Sequence, residues 1–226
     1  MDIYLLIGQS NMAGRAEIPI EDMQPMDGCH LLNIENLWEP AKNPLNRYSS
    51  IRGELQDQKM GPGYLFAQTM RQAQPNIEIG LVVNAKGNTK IDQWIKGTLF
   101  YEQAVLRTRI ALRTGKLKGI LWHQGEASRN DTDYLVKLQQ LIKSLRTDLG
   151  DTQTPFIAGQ INRIDENPFN EMILRLPSLV EHTRVVTTED LTASDLWHFD
   201  TQSMKTLGKR YAEKMLELQN ECSILP

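Results

Sequence analysis

Three residues of this 226-residue chain have the types needed for acyl transfer. Ser10 stands in GQSNM (8–12), where an apolar run stops at a small polar cluster, and Asp195 and His198 stand three apart in DLWHFD (195–200). A serine hydroxyl is a weak nucleophile until a base takes its proton, and that base needs a third group to fix its tautomer and steady the imidazolium. Ser10 would attack a carbonyl, His198 would pass the proton to the leaving alcohol, and Asp195 would orient the ring. The developing oxyanion needs donors aimed at it. The backbone N–H groups of Ser10 and Gly87 and the side-chain amide of Gln124 are the candidates, and glycine at 87 suits a backbone that approaches a ligand closely. Gln9, Asn11, His123 and Glu126 are supporting residues. Glu126 is expected to pin the loop carrying Gln124, with orientation of His198 as its other possible role.

Taken singly, these residues are unremarkable: Ser10 reads as a helix N-cap, Gly87 as a turn residue, His198 as a satisfied histidine. Their placement changes that. Short apolar, β-rich runs at 3–7, 77–83, 119–122, 155–159 and 184–187 alternate with stretches of helical spacing, the signature of a parallel sheet covered on both faces. Helices are predicted at 64–73, 101–113, 131–149, near 169–180 and at 202–218. The third has an apolar stripe of Leu135, Leu138, Leu141, Ile142 and Leu145, with Asp131 as its cap and Gly150 at its end. In an open α/β sheet, ligands bind beyond the carboxyl ends of the strands. The polar clusters Gly8–Asn11, 84–89, 123–126 and 195–198 each follow a predicted strand, so all four converge on one edge.

Composition narrows the function classes. The mass, 25.8 kDa, suits one α/β domain over 1–226, and a net charge of -3 gives no basic excess for gripping a phosphate backbone. Nucleic acid is not expected as a partner. No apolar stretch nears the roughly 20 residues that span a bilayer, so neither is a membrane. The default expectation is cytoplasmic, or secreted if a signal peptide has been removed. Cys29 and Cys222 are too few and too far apart for a disulfide framework and are expected as free thiols. The segment 17–61 is rich in Pro, Asn and Met, holds one short strand at 30–34, and is expected to shape the substrate side, with Trp38, Arg52 and Trp197 as candidate contacts.

Rival chemistries fit less well. His123, Glu126 and His198 offer metal-ligand types, but the H-x-x-E spacing lacks the adjoining second histidine of known zinc motifs. The other serine-hydrolase fold expects G-x-S-x-G in mid-chain, and nucleotide binding expects a glycine-rich or lysine-bearing phosphate loop after a strand. Neither pattern is present. A non-catalytic protein could use the same crevice to bind sugar on the flat faces of Trp38, Trp94, Trp122 and Trp197.

The motifs GQSNMAG (8–14), GPGYLFA (61–67), IGLVVNAKGNTKIDQW (79–94), ILWHQGEAS (120–128) and DLWHFD (195–200) resemble, in order and over nearly the whole chain, the SGNH or GDSL-like hydrolases. Within them the chain is most similar to the sialic-acid O-acetylesterase and carbohydrate esterase family 6 branch. The resemblance implies a flavodoxin-like three-layer α/β/α sandwich, here with a five-stranded parallel sheet. It also implies deacetylation of a carbohydrate, an acetylated saccharide as partner, and no cofactor or metal. Carried across by motif, Ser10 is the nucleophile, Asp195 and His198 complete the triad, and Gly87 and Gln124 join the oxyanion hole. The chain departs from many relatives in having Asn88 for a second glycine and Leu196-Trp197 between its acid and histidine. Xylan fragments, sialic acids and other acetylated sugars all remain open as substrates.

Overall fold

The first apolar run is buried on both sides, which a strand achieves only in the middle of a covered sheet. Along β1 (Asp2–Gly8), Ile3, Leu5 and Ile7 enter one hydrophobic cluster while Tyr4 and Leu6 enter the other. This is the two-residue alternation of a strand feeding two cores at once. The computed structural model describes residues 1–163 and 167–224, without the side chains of 222–224. Cys29 is buried and is a free thiol; the side chain of Cys222 lies outside the described residues.

Six more strands follow: β2 (Cys29–Leu32), β3 (Trp38–Pro40), β4 (Ile79–Ala85), β5 (Lys116–His123), β6 (Phe156–Gly159) and β7 (Thr183–Val186). They form one sheet in the order β3-β2-β4-β1-β5-β6-β7. All pairings are parallel except β2 with β3. The expected sheet of five strands therefore has seven. The expected short strand at 30–34 is β2, and β3 was missed because three residues, Trp-Glu-Pro, are too few to display alternation. Without this hairpin the order β4-β1-β5-β6-β7 is doubly wound, and the chain reverses direction across the sheet beside β1.

After the single turn α1 (Ser10–Ala13), the longer helices cover both faces, giving three layers. On one face pack α2 (Gly63–Ala73), through Phe66, Ala67 and Met70, and α7 (Thr201–Ile224), through Met204, Leu207, Tyr211 and Met215. On the other lie α3 (Leu99–Ala111) and α4 (Tyr134–Leu149), the latter burying the whole predicted stripe from Leu135 to Leu145. Gly150 ends α4 at φ +83 as expected, but Asp131 does not cap it. Its carboxylate instead accepts the Asp133 N–H at 3.0 Å and holds Lys137 at 2.7 Å, so the helix starts three residues late. The expected helix near 169–180 is two short ones, α5 (Phe169–Ile173) and α6 (Leu176–Leu179), with a proline at the start of the second.

The junction of β1 with the site is sterically fixed. Gly8 has φ +140, and a Cβ there would lie 2.1 Å from the carbonyl oxygen of His123 on the neighbouring strand. At Gly150 a Cβ would meet nothing within 4 Å. Gly8→Ala is therefore expected to cost roughly 3 kcal/mol or more, against about 1 kcal/mol for Gly150→Ala, which bears only the backbone penalty. Denaturant unfolding of the two variants checks this; similar losses would show that β1 and β5 can separate at little cost.

Candidate active site

Ser10 opens a one-turn helix (Ser10–Ala13) directly after β1, and the Gln9 N–H donates to the His123 carbonyl at 2.8 Å, tying this turn to the end of β5. The serine is largely buried, and its Oγ lies 3.1 Å from His198 Nε2. On the far side of the ring, Nδ1 lies 2.8 Å from Asp195 Oδ2. The acceptor at Nδ1 fixes the tautomer with its proton there and leaves Nε2 free to receive the serine proton.

The three-residue spacing of acid and histidine has a local cause. Asp195 Oδ1 accepts the backbone N–H groups of Trp197 at 2.7 Å and His198 at 2.8 Å, which leaves Oδ2 for the ring. Burial raises the Asp195 pKa, but these three hydrogen bonds outweigh it and hold the carboxyl below its ordinary range. The loop is closed by a bridge between Ala193 and Phe199, and Phe199 is fully buried. Asn11 ties it to the turn that carries Ser10: its Nδ2 donates to Trp197 O at 3.0 Å and its Oδ1 accepts the Phe199 N–H at 3.3 Å.

Of the expected oxyanion donors, Ser10 and Gly87 both line the cavity, and neither backbone N–H donates to a described residue. A Cβ on Gly87 would lie 2.8 Å from Arg15 Nη2, the end of a long side chain, and 3.7 Å from Ser10 Cβ, an ordinary van der Waals contact, so this backbone passes close to both residues. Asn88 adopts φ +56, a left-handed conformation that asparagine tolerates best after glycine, which accounts for the departure at that position. Gln124 is placed differently from expectation. It is fully buried, and its amide nitrogen lies 3.1 Å from Gln9 Oε1, 2.9 Å from Thr89 O and 3.1 Å from Ser128 Oγ, so its two hydrogens point into the protein.

Beneath the site lie two buried titratable groups. Glu126 Oε1 accepts from Asn11 Nδ2 at 2.6 Å and sits 3.8 Å from His123 Nε2, while Asp195, not Glu126, holds His198. Burial pushes the Glu126 carboxyl up to about 7 against the partial relief of Asn11 and loop N–H groups, and pushes His123 down to about 3. The Tyr211 hydroxyl donates to Trp122 O at 2.8 Å and so accepts from His123 Nδ1 at 3.1 Å, leaving Nε2 unprotonated. Neither nitrogen of His198 is free, and no group of three His, Cys, Asp or Glu among the described residues could hold a metal ion.

A cavity of about 610 Å³ opens over this arrangement, lined among others by Gln9, Ser10, Gly87, Glu126, Trp197 and His198. Trp197 forms a wall, with the Arg129 guanidinium 4.8 Å from its ring centre. The other two expected substrate contacts are elsewhere. Arg52 donates to the carbonyls of Arg47 and Gly53, both at 2.8 Å, and shapes the loop. Trp38 lies at the opposite edge of the sheet: its indole bonds Thr114 at 2.8 Å and its ring reaches Gly80, near the amino-terminal ends of β5 and β4. The cations that line the cavity are Arg15 and Lys86, which the sequence reading missed although they directly flank GQSNMAG and Gly87.

The Glu126 shift has a thermodynamic signature. A carboxyl whose folded pKa lies above its ordinary 4.5 stabilises the fold fully below pH 4.5, and that stability is lost as pH rises through about 7. Wild type should therefore lose about 3 kcal/mol relative to Glu126→Gln between those limits, the His123 contribution being common to both. Unfolding free energies of the two proteins across that window provide the check, and a constant gap would refute the shift.

Comparison with known proteins identifies the family. The profile of the carbohydrate esterase, sialic acid-specific acetylesterase family matches residues 1–217. A probable carbohydrate esterase of Arabidopsis thaliana is 30% identical over a 243-residue alignment covering 95% of this chain and 90% of that protein. An X-ray structure of an Arabidopsis thaliana protein superposes with a TM-score of 0.84 at 28% identity, covering 96% of this chain and 98% of that one. The crystal structure of NanS superposes at 0.77 with 16% identity over 97% of both chains, a likeness of fold. The chain thus belongs to the family of carbohydrate esterases described as sialic acid-specific acetylesterases.

Proposed function

We propose that the protein is a serine esterase that removes O-acetyl groups from a carbohydrate through an acyl-enzyme. The observation that carries this reading is the relay at the cavity wall, Ser10 Oγ to His198 Nε2 at 3.1 Å and His198 Nδ1 to Asp195 at 2.8 Å. In the first half-reaction the Ser10 oxygen bonds to the ester carbonyl carbon while its proton passes to Nε2. Asp195 steadies the imidazolium, and the Ser10 and Gly87 N–H groups face the oxyanion. Collapse of the tetrahedral intermediate breaks the bond to the sugar oxygen, which takes the proton from His198. Water then repeats the sequence on the acyl-serine, giving acetate and free Ser10.

The walls favour an acidic sugar. Arg15 Nη1 is engaged by Gly14 O at 2.7 Å and Asp57 O at 2.9 Å, which fixes the guanidinium against Gly87 with Nη2 toward the cavity. Lys86 lines the same side. Asp57 and Glu126 line the cavity too, the latter with its pKa raised to about 7, so the cationic side is Arg15 with Lys86, suited to a sugar carboxylate in keeping with the sialic acid in the family's description.

Hydrolysis of p-nitrophenyl acetate is expected to fall to background in Ser10→Ala and roughly 1,000- to 10,000-fold in Asp195→Asn, with a much smaller loss in Glu126→Gln. Wild-type release no greater than that of the serine variant would leave a sugar-binding protein, and a crippling effect of the glutamine change alone would move the acid's role to Glu126. Acetate release across a panel of acetylated saccharides tests the substrate: Arg15→Gln should raise KM for an acetylated sugar acid about tenfold or more, and less for a neutral one. Equal effects on both classes would remove the carboxylate from the reading.

A further inference from the structure

We infer that the third oxyanion donor is the side-chain amide of Gln9, held in place by Gln124, an assignment that rests on the serine-esterase reading above. Gln9 Oε1 accepts from Gln124 Nε2 at 3.1 Å and from the backbone N–H groups of Ala127 at 3.3 Å and Gly125 at 3.5 Å. Backbone N–H groups only donate, so the oxygen of this amide must face the 124–127 loop and its nitrogen the other way. That other way is the cavity, which Gln9 lines together with Ser10 and Gly87. Among the described residues Gln9 Nε2 has no acceptor, and it is not one of the buried orphan atoms. Two N–H hydrogens are thus presented beside the nucleophile, one residue before it in the chain.

Gln124 cannot supply that donor as it stands. Thr89 O only accepts, and Gln9 Oε1 is already fixed as an acceptor, so these two partners take both hydrogens of the Gln124 amide. Its own oxygen is buried without a partner, and the residue does not line the cavity. Gln124 is a positioning residue: it locks the orientation of the Gln9 amide. The Ser10 and Gly87 N–H groups likewise donate no hydrogen bond to a described residue. Together the three give a donor set whose hydrogens are all unspent, as a preorganised oxyanion site requires.

The test combines p-nitrophenyl acetate kinetics with affinity for a small alkylboronic acid, which forms a tetrahedral adduct on the Ser10 oxygen. The variants are Gln9→Glu, Gln9→Ala, Gln124→Ala and the double alanine. Glutamate at 9 keeps the acceptor for the loop N–H groups and removes the donor hydrogens. In Gln9→Glu, kcat and boronate affinity should each fall on the order of 100- to 1,000-fold, KM should change far less, and the Tm should stay near that of wild type. Gln124→Ala should lower kcat in the wild-type background and add little once Gln9 is alanine. If Gln9→Glu fails to unfold cooperatively, this alanine cycle decides alone. Retention of kcat within a few-fold of wild type in a folded Gln9→Glu, or equal effects of Gln124→Ala in both backgrounds, would overturn the assignment. Wild-type hydrolysis no faster than that of Ser10→Ala would instead defeat the esterase reading itself.

Discussion

One hydrogen bond, Ser10 to His198, joins residues 188 positions apart, and much of the fold exists to hold its two ends still. On the serine side the constraint is backbone: Gly8 lies so close to His123 that no side chain fits, and the next N–H is bonded to the same carbonyl. On the histidine side it is packing: Phe199 is fully buried directly after His198, its ring edge-on to that of His123 at 6.0 Å. Asn11 joins the two halves, since one side chain next to the serine bonds the backbone on either side of the histidine. Three anchors of different kinds thus fix a contact that the serine–histidine attraction could not hold by itself.

The support under the site explains why costly groups are kept there. A buried carboxyl and a buried imidazole 3.8 Å apart each resist ionising. Their contribution is positional. Glu126 aims the Asn11 amide, and Tyr211, on α7, receives His123 and bonds Trp122 O at the end of β5. The Tyr134 hydroxyl, on the opposite face, donates to Gln124 O at 2.6 Å. Both helical layers therefore reach through the sheet edge to the same loop, and the two hydrophobic cores share responsibility for its shape.

What the sequence makes legible follows from periodicity and direction. A parallel sheet sends every carboxyl end to one edge, so apolar runs followed by polar clusters suffice to bring Ser10, Gly87, Gln124 and His198 together. The same reasoning does not reach Trp38: it is the first residue of β3, paired with Leu32 at the end of β2, and its ring turns to Thr114 and Gly80 and not to the cavity. It fails for Asp131, where an aspartate three residues before the helix serves a turn and a lysine instead of the first N–H groups. At Gln124, spacing identifies the loop but cannot say which way an amide is turned, since that depends on Thr89 and Gln9 arriving from two other strand ends. Arg15 and Lys86 were readable in principle, being neighbours of motif residues, but a lone cation beside a motif has no periodic signal.

The two sides of the relay differ in how they can move. Gln9, Ser10, Gln124 and Glu126 are all nearly sealed from solvent and sit on strand ends in the middle of the sheet, whereas the Asp195 side chain is 53% exposed and that of His198 24%. Opening the 193–199 loop would break the Asn11 bonds, the Asn162–Leu196 bond and one bridge and would expose Phe199, but would disturb no strand pairing; displacing Ser10 would require β1 to part from β5. His198 and Asp195 are therefore held by side-chain bonds and one buried ring, while Ser10 and Gln9 are held by the pairing of central strands. The division suits acyl transfer, in which the oxyanion must meet a rigid set of donors, whereas the imidazole has to serve first the serine oxygen and the sugar oxygen and then the incoming water.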